Sequence, residues 1–138
     1  MRRVFFDTNV LVYLFDAAAP AKRATARQLF SEHSATGALT LSTQVLQEFY
    51  VCVTRKLSAP LSEPAALEVV RDLRSFALVL VDADMILGAT ARSSAERFSF
   101  WDALIVEAAL SGGATQLLSE DMQNGRRVSG LTIVDPFA

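Results

Sequence analysis

Five short strand-like runs, alternating with stretches of helical spacing, restrict the folds open to this chain more than any other feature. The runs are Val4-Phe5-Phe6, Leu39-Thr40-Leu41, residues 76–81, Gln116-Leu117-Leu118 and residues 131–134. Strands separated by helices do not pair as hairpins; each connection crosses over, which makes neighbouring strands parallel. The expected fold is therefore α/β, with three α/β/α layers and a five-stranded parallel sheet flanked by helices. In such sheets the crossovers are right-handed and ligands sit beyond the carboxyl ends of the strands. The residues just after each strand are the ones to read for chemistry.

The helical stretches are bounded by ordinary start and stop signals. A first helix over residues 10–15 is opened by Asp7-Thr8-Asn9, and a second over residues 21–34 has Pro20 at its start and Gly37 at its close. Ser42 can cap a third, whose core face is Val45, Leu46, Phe49, Val53 and Leu57. Residues 62–75 and 83–97 read as two more, the latter weakened by Gly88. From Ser99 onward Trp101, Leu104, Ile105, Ala108 and Ala109 recur at helical spacing, which places them on a core face, until Gly112-Gly113 stops the helix. Asn124-Gly125 marks a turn.

Composition narrows the function. The 138 residues suit one domain spanning 1–138, and 51% hydrophobic with 20% charged residues suits a compact soluble chain. No apolar run approaches the roughly 20 residues that cross a bilayer. Asp7 interrupts the apolar N-terminal run before a signal-peptide core can form, so a cytoplasmic protein without membrane association is expected. One cysteine, Cys52, excludes an internal disulfide and a cysteine zinc cage; one histidine, His33, excludes a multi-histidine site. Any bound metal must then rest on carboxylates, which favours hard cations such as Mg²⁺ or Mn²⁺. A net charge of −2 runs against a broad basic footprint for nucleic acid. A carboxylate site itself lowers net charge, however, while arginines can still gather at its rim.

Four acids from separate segments can converge on one sheet edge. Asp7 ends the first strand and Asp121 follows the fourth, in Ser119-Glu120-Asp121. Glu48 lies off the apolar stripe of its helix, on a face with Gln44 and Arg55, and Asp102 lies in the first turn of the helix begun at Ser99. Singly, each has a structural reading. Asp7 can cap a helix, Asp102 has capping-box spacing from Ser99, Glu48 can be a solvated helix residue and Asp121 a loop acid. Jointly they form a site where like charges repel unless a cation or protonation relieves them. A divalent ion held there can activate an attacking water and steady charge on a phosphate. Glu120 ranks second as a member of this shell. Asp82 and Asp84 read as caps of the following helix, and Glu107 as a solvated residue.

These residues resemble PIN-domain nucleases over essentially the whole chain. Residues 6–13, Phe-Asp-Thr-Asn-Val-Leu-Val-Tyr, resemble the opening motif of that family; residues 44–49, with Glu48, resemble the second. Residues 100–106, Phe-Trp-Asp-Ala-Leu-Ile-Val, resemble the third, with Asp102 as its acid. Residues 118–122 with Gly125 resemble the fourth, with Asp121 as acid and Ser119 as an assisting hydroxyl. The closing Ile133-Val134-Asp135-Pro136-Phe137 is similar to the tail of VapC-type toxins, with Asp135 where asparagine is common. The resemblance implies Mg²⁺ or Mn²⁺ held by Asp7, Glu48, Asp102 and Asp121, with Thr8, Asn9 and Ser119 orienting waters or ligands around them. It further implies endonucleolytic cleavage of RNA, a homodimer, and a cognate antitoxin covering the groove.

Arg126 and Arg127, just after the fourth motif, are the first candidates for contact with RNA phosphates. Tyr13, Phe15, Phe49 and Tyr50 read as core or dimer residues. Two other classes fit parts of the pattern: a non-catalytic regulatory domain of the same fold, and a phosphotransfer protein with an aspartate at a strand end. The latter needs a lysine after a later strand, and none follows Leu118 or Val134.

Overall fold

Parallel pairing begins at the centre of the sheet, where β1 (Arg3–Phe6) lies between β2 (Leu39–Ser42) and β4 (Ala114–Leu118). The computed structural model describes residues 2–138. Beyond β2 stands β3 (Ala77–Val79), and beyond β4 stand β6 (Leu131–Val134) and β5 (Arg127–Val128), giving the order β3-β2-β1-β4-β6-β5. The five expected strands are all present and mutually parallel. A sixth, β5, is added antiparallel to β6. Its two residues are too short to show alternation, yet the turn behind it had a signal. Ser129 and Gly130 both take positive φ, 50° and 86°, between the paired residues Val128 and Leu131. Positive φ at both central residues is the geometry of a two-residue hairpin turn.

The helices are α1 (Thr8–Tyr13), α2 (Pro20–Ala35), α3 (Thr43–Arg55), α4 (Glu63–Leu73), α5 (Ala83–Glu96) and α6 (Phe100–Ser111). Each of α1, α3, α4, α5 and α6 is opened by a side-chain oxygen accepting a backbone N–H, from Asp7, Ser42, Ser62, Asp82 and Ser99 respectively. Such caps satisfy donors that the first turn leaves free. The first helix thus starts two residues earlier than the sequence suggests, because Asp7 alone is its cap. Among the described residues no helix is long and apolar enough to cross a membrane.

The core is the inner sheet with α6 and α3 against it. Phe5, Phe6, Leu11, Leu41, Phe49, Ile105, Leu117 and Ile133 are fully buried. Along α6, Ala103 to Val106 are buried in unbroken succession, as are Ala108 and Ala109, because the helix lies between strands and α5. Two expectations about this helix are corrected. Trp101 is not on the core face; it is 62% exposed, because the first turn of α6 reaches the groove described below rather than the sheet interior. Glu107 is not solvated: its Oε1 accepts from Arg92 Nε at 2.7 Å, and Arg92 also binds Glu96. Gly88 gives this carboxylate room, since a Cβ there would stand 3.0 Å from Glu107 Oε2.

Gly112 is the tightest glycine contact. A Cβ at this residue would lie 2.8 Å from Val79 Cγ2 and 3.0 Å from Thr40 Cγ2, so α6 ends where β2 and β3 leave no space for a methyl group. Gly112→Ala is expected to destabilise the fold by about 1–3 kcal/mol through overpacking. Urea unfolding checks this; an unchanged midpoint would show that the helix end yields freely.

Candidate active site

The chain builds β1, β2 and β3 outward on one side, then crosses to place β4 on the other side of β1. That reversal opens a crevice at the carboxyl ends of β1 and β4. Asp7 and Ser119 are the first residues past those ends. Asp7 N donates to Leu118 O at 2.9 Å and Ser119 N to Val134 O at 3.0 Å, so the backbone holds both in register with the sheet.

Asp7 is only 5% exposed. Its Oδ1 accepts from Thr8 N at 2.8 Å and its Oδ2 from Ser119 Oγ at 2.7 Å, with Asn9 Nδ2 at 3.5 Å. Capping a helix and presenting a buried carboxylate are therefore one arrangement, not alternatives. Burial pushes its pKa up to about 7 despite the bonds from Ser119 and Thr8, and the charges of Glu48 and Asp102 add to the rise.

The other acids surround it. Glu48 Oε1 accepts from Thr8 Oγ1 at 2.8 Å, and Asp121 Oδ2 accepts from Asn9 Nδ2 at 3.1 Å. Asn9 Oδ1 in turn accepts from Glu120 N at 3.1 Å, tying the start of α1 to the loop after β4. Asp102 stands in the first turn of α6, where Ser99 Oγ accepts from its backbone N at 3.1 Å. Partial burial, with the charges of Asp121 and Glu48, raises its pKa against the effect of Ser99. Asp7, Glu48, Asp102 and Asp121 line one groove of about 690 Å³, together with Thr8 and Asn9. Ser119 lies fully buried behind Asp7.

The donor set fits a hard cation: it is made of oxygens and carries excess negative charge. Among the described residues no three donors close into a compact cage. Thr8 and Asn9 instead bond Glu48 and Asp121 around the groove. An open set of this kind is compatible with Mg²⁺, which keeps several waters and takes one or two carboxylates directly.

Three expected members are placed elsewhere. Glu120 turns away from the groove acids: Lys22 Nζ donates to its Oε2 at 2.6 Å and Tyr13 Oη to its Oε1 at 2.6 Å. Burial acts to raise its pKa, and the bonds from Lys22 and Tyr13 outweigh that and bring it below the usual value. Arg126 is not free for phosphate. Its guanidinium lies 3.9 Å from the Phe98 ring centroid and donates to Glu96 O, clamping the end of α5. Arg127 lines a separate cavity with Arg2, Val4 and His33, at the amino ends of the strands.

The groove also holds Lys56, which the sequence reading passed over, and Gln44, which it placed beside Glu48. Lys56, the C-cap of α3, lines it and Arg55 does not; helical spacing favours Arg55, nearly two full turns after Glu48, so the sequence held no signal for Lys56. Gln44 lines it as well and donates from Nε2 to Trp101 O at 3.3 Å.

A mostly parallel α/β sheet with a groove of four clustered carboxylates at its switch point defines the class of protein. The chain belongs to the PIN domain family, whose family model matches residues 4–129. Its fold is similar to that of VapC20 of Mycobacterium tuberculosis, a sarcin–ricin loop cleaving toxin, at 22% identity and a TM-score of 0.67, over 86% of this chain and 89% of that one. A toxin–antitoxin complex from Klebsiella pneumoniae contains a similar chain, at 18% identity and a TM-score of 0.70, over 97% and 98% of the two chains. DNA-bound VapBC from Salmonella typhimurium contains another, at 20% identity and a TM-score of 0.67, over 99% of each. At these identities the likeness is one of fold. No curated protein matches the chain.

The raised pKa of Asp7 has a consequence for stability. Below pH 4 the group is protonated in folded and unfolded chains alike. Between about pH 4 and 7 the unfolded chain releases a proton that the folded one retains, so rising pH favours unfolding through this group. In EDTA, Asp7→Asn is expected to be more stable than wild type at pH 8, by up to about 4 kcal/mol, with the gain shrinking towards pH 4. Denaturant titrations across pH test this; a difference independent of pH would contradict the assignment.

Proposed function

We propose that this chain is a divalent-metal-dependent endoribonuclease, one domain over residues 1–138, acting in the cytoplasm as the toxin of a toxin–antitoxin pair. The observation that carries the reading is the gathering of Asp7, Glu48, Asp102 and Asp121 around one groove at the β1–β4 switch point. Bound there, Mg²⁺ or Mn²⁺ supplies Lewis-acid stabilisation of the scissile phosphate and a nucleophilic water. Asp7, Glu48, Asp102 and Asp121 would hold the ion, one or two of them directly and the rest through its waters. Thr8, Asn9 and Ser119 orient them through the bonds to Glu48, Asp121 and Asp7. Lys56, the basic residue among those lining the groove, is placed to meet a backbone phosphate.

Two partners follow. The Klebsiella and Salmonella structures are toxin–antitoxin assemblies, which supports a cognate antitoxin covering this groove. A homodimer is supported by Leu80, Ile86 and Leu87, exposed apolar residues at the corner between β3 and α5.

The test is incubation of purified, antitoxin-free protein with total cellular RNA in Mg²⁺ or Mn²⁺ and in EDTA. Discrete, metal-dependent fragments are expected. Asp102→Ala should abolish them, and Ser119→Ala should slow cleavage about 10- to 100-fold by loosening the orientation of Asp7. Intact RNA with either metal, from folded protein, would contradict the proposal.

A further inference from the structure

Trp101 is the only tryptophan of the chain, and 62% of it is exposed beside the acids. A lone exposed apolar residue is ordinary, but an aromatic ring whose face is open to a groove that also holds the acids is a surface on which a base can stack. Trp101 immediately precedes Asp102 on the first turn of α6, and its ring meets that of Phe100 edge-on at 5.1 Å. Its carbonyl accepts from Gln44 Nε2, a side chain only 4% exposed and rooted in α3. The backbone beneath the indole is thus held from below while the ring stays in contact with water. Tyr13, the other aromatic residue lining the groove, has its hydroxyl engaged by Glu120 and Lys22.

We infer that Trp101 is a stacking platform for a base of the bound RNA beside the scissile phosphate, so that it contributes to which nucleotide is accepted there. The inference rests on the endoribonuclease reading. Electrostatics favours it: the groove is lined by five carboxylates, Asp16 beside the four clustered acids, and one basic residue, Lys56, so affinity from phosphate contacts is limited. Stacking on an uncharged ring supplies affinity that needs no cation. Gln44 adds a second observation. Its Oε1 is buried and has no hydrogen-bond partner among the described residues, which leaves an unsatisfied polar atom in the groove wall beneath Trp101.

The experiment uses indole fluorescence, which reports Trp101 alone. The cleavage-blocked Asp102→Asn protein is titrated in Mg²⁺ with a short single-stranded oligoribonucleotide of mixed sequence, while anisotropy of a labelled copy follows binding. Emission is expected to quench in step with binding. In that background Trp101→Ala is expected to bind roughly 5- to 150-fold more weakly and Trp101→Phe to recover part of the loss. In the active protein Trp101→Ala should raise KM more than it lowers kcat. Circular dichroism confirms that the variants fold. RNA that binds with no change in emission, or binds Trp101→Ala as tightly, overturns this inference and leaves the nuclease reading standing. Absence of both RNA binding and cleavage in otherwise native protein overturns both.

Discussion

Ser119 Oγ donates to Asp7 Oδ2 at 2.7 Å, joining the ends of the two parallel strands between which the order of strand addition reverses. Much of the site hangs from that bond. The same Asp7 accepts from Thr8 N and so starts α1, whose first turn carries Thr8 and Asn9. Those two side chains reach Glu48 on α3 and Asp121 after β4. The same Ser119 Oγ also accepts from Asp121 N at 3.3 Å. A buried carboxylate is costly when unpaired, and here the cost is offset only in part by hydrogen bonds, which leaves the Asp7 pKa near neutrality. The position is structurally inconvenient and chemically useful, which is where strained electrostatics is expected in a working site.

The helices and the five parallel strands were legible because each carries its own period and punctuation, which the two-residue β5 does not. Strand-end acids were legible for the same reason: once β1 and β4 are parallel, Asp7 and Asp121 must share an edge. Glu48 and Asp102 could be added from helix position alone. What escaped the sequence depends on neighbours remote in the chain. Trp101 has the spacing of a core residue, and only the placement of the first turn of α6 at the groove exposes it. Arg126 has the look of a phosphate ligand, and only the Phe98 ring and the Glu96 carbonyl beside it reveal a structural clamp. Glu107 acquires its partner from α5, and Glu120 its partner from α2. Charged side chains are the least legible class, since their ends are set by whichever counter-charge folding brings near.

The charge distribution also explains how an acidic chain can be read as acting on a polyanion. Four carboxylates gather where a cation can neutralise them, with Lys56 as the basic residue of that groove, while Arg2 and Arg127 line a separate cavity. Affinity for RNA would then depend on the ion in the groove and on uncharged contacts beside it, more than on a basic face.

The central claim is that Asp7, Glu48, Asp102 and Asp121 act as one cation site. Titration of the protein with Mn²⁺, followed by the electron paramagnetic resonance of the free ion, tests it most directly. The account predicts saturable loss of the free-ion signal, its recovery on adding Mg²⁺, and failure to bind in Asp7→Asn and Asp121→Asn. Mn²⁺ left free in solution, or bound equally by those variants, would contradict it.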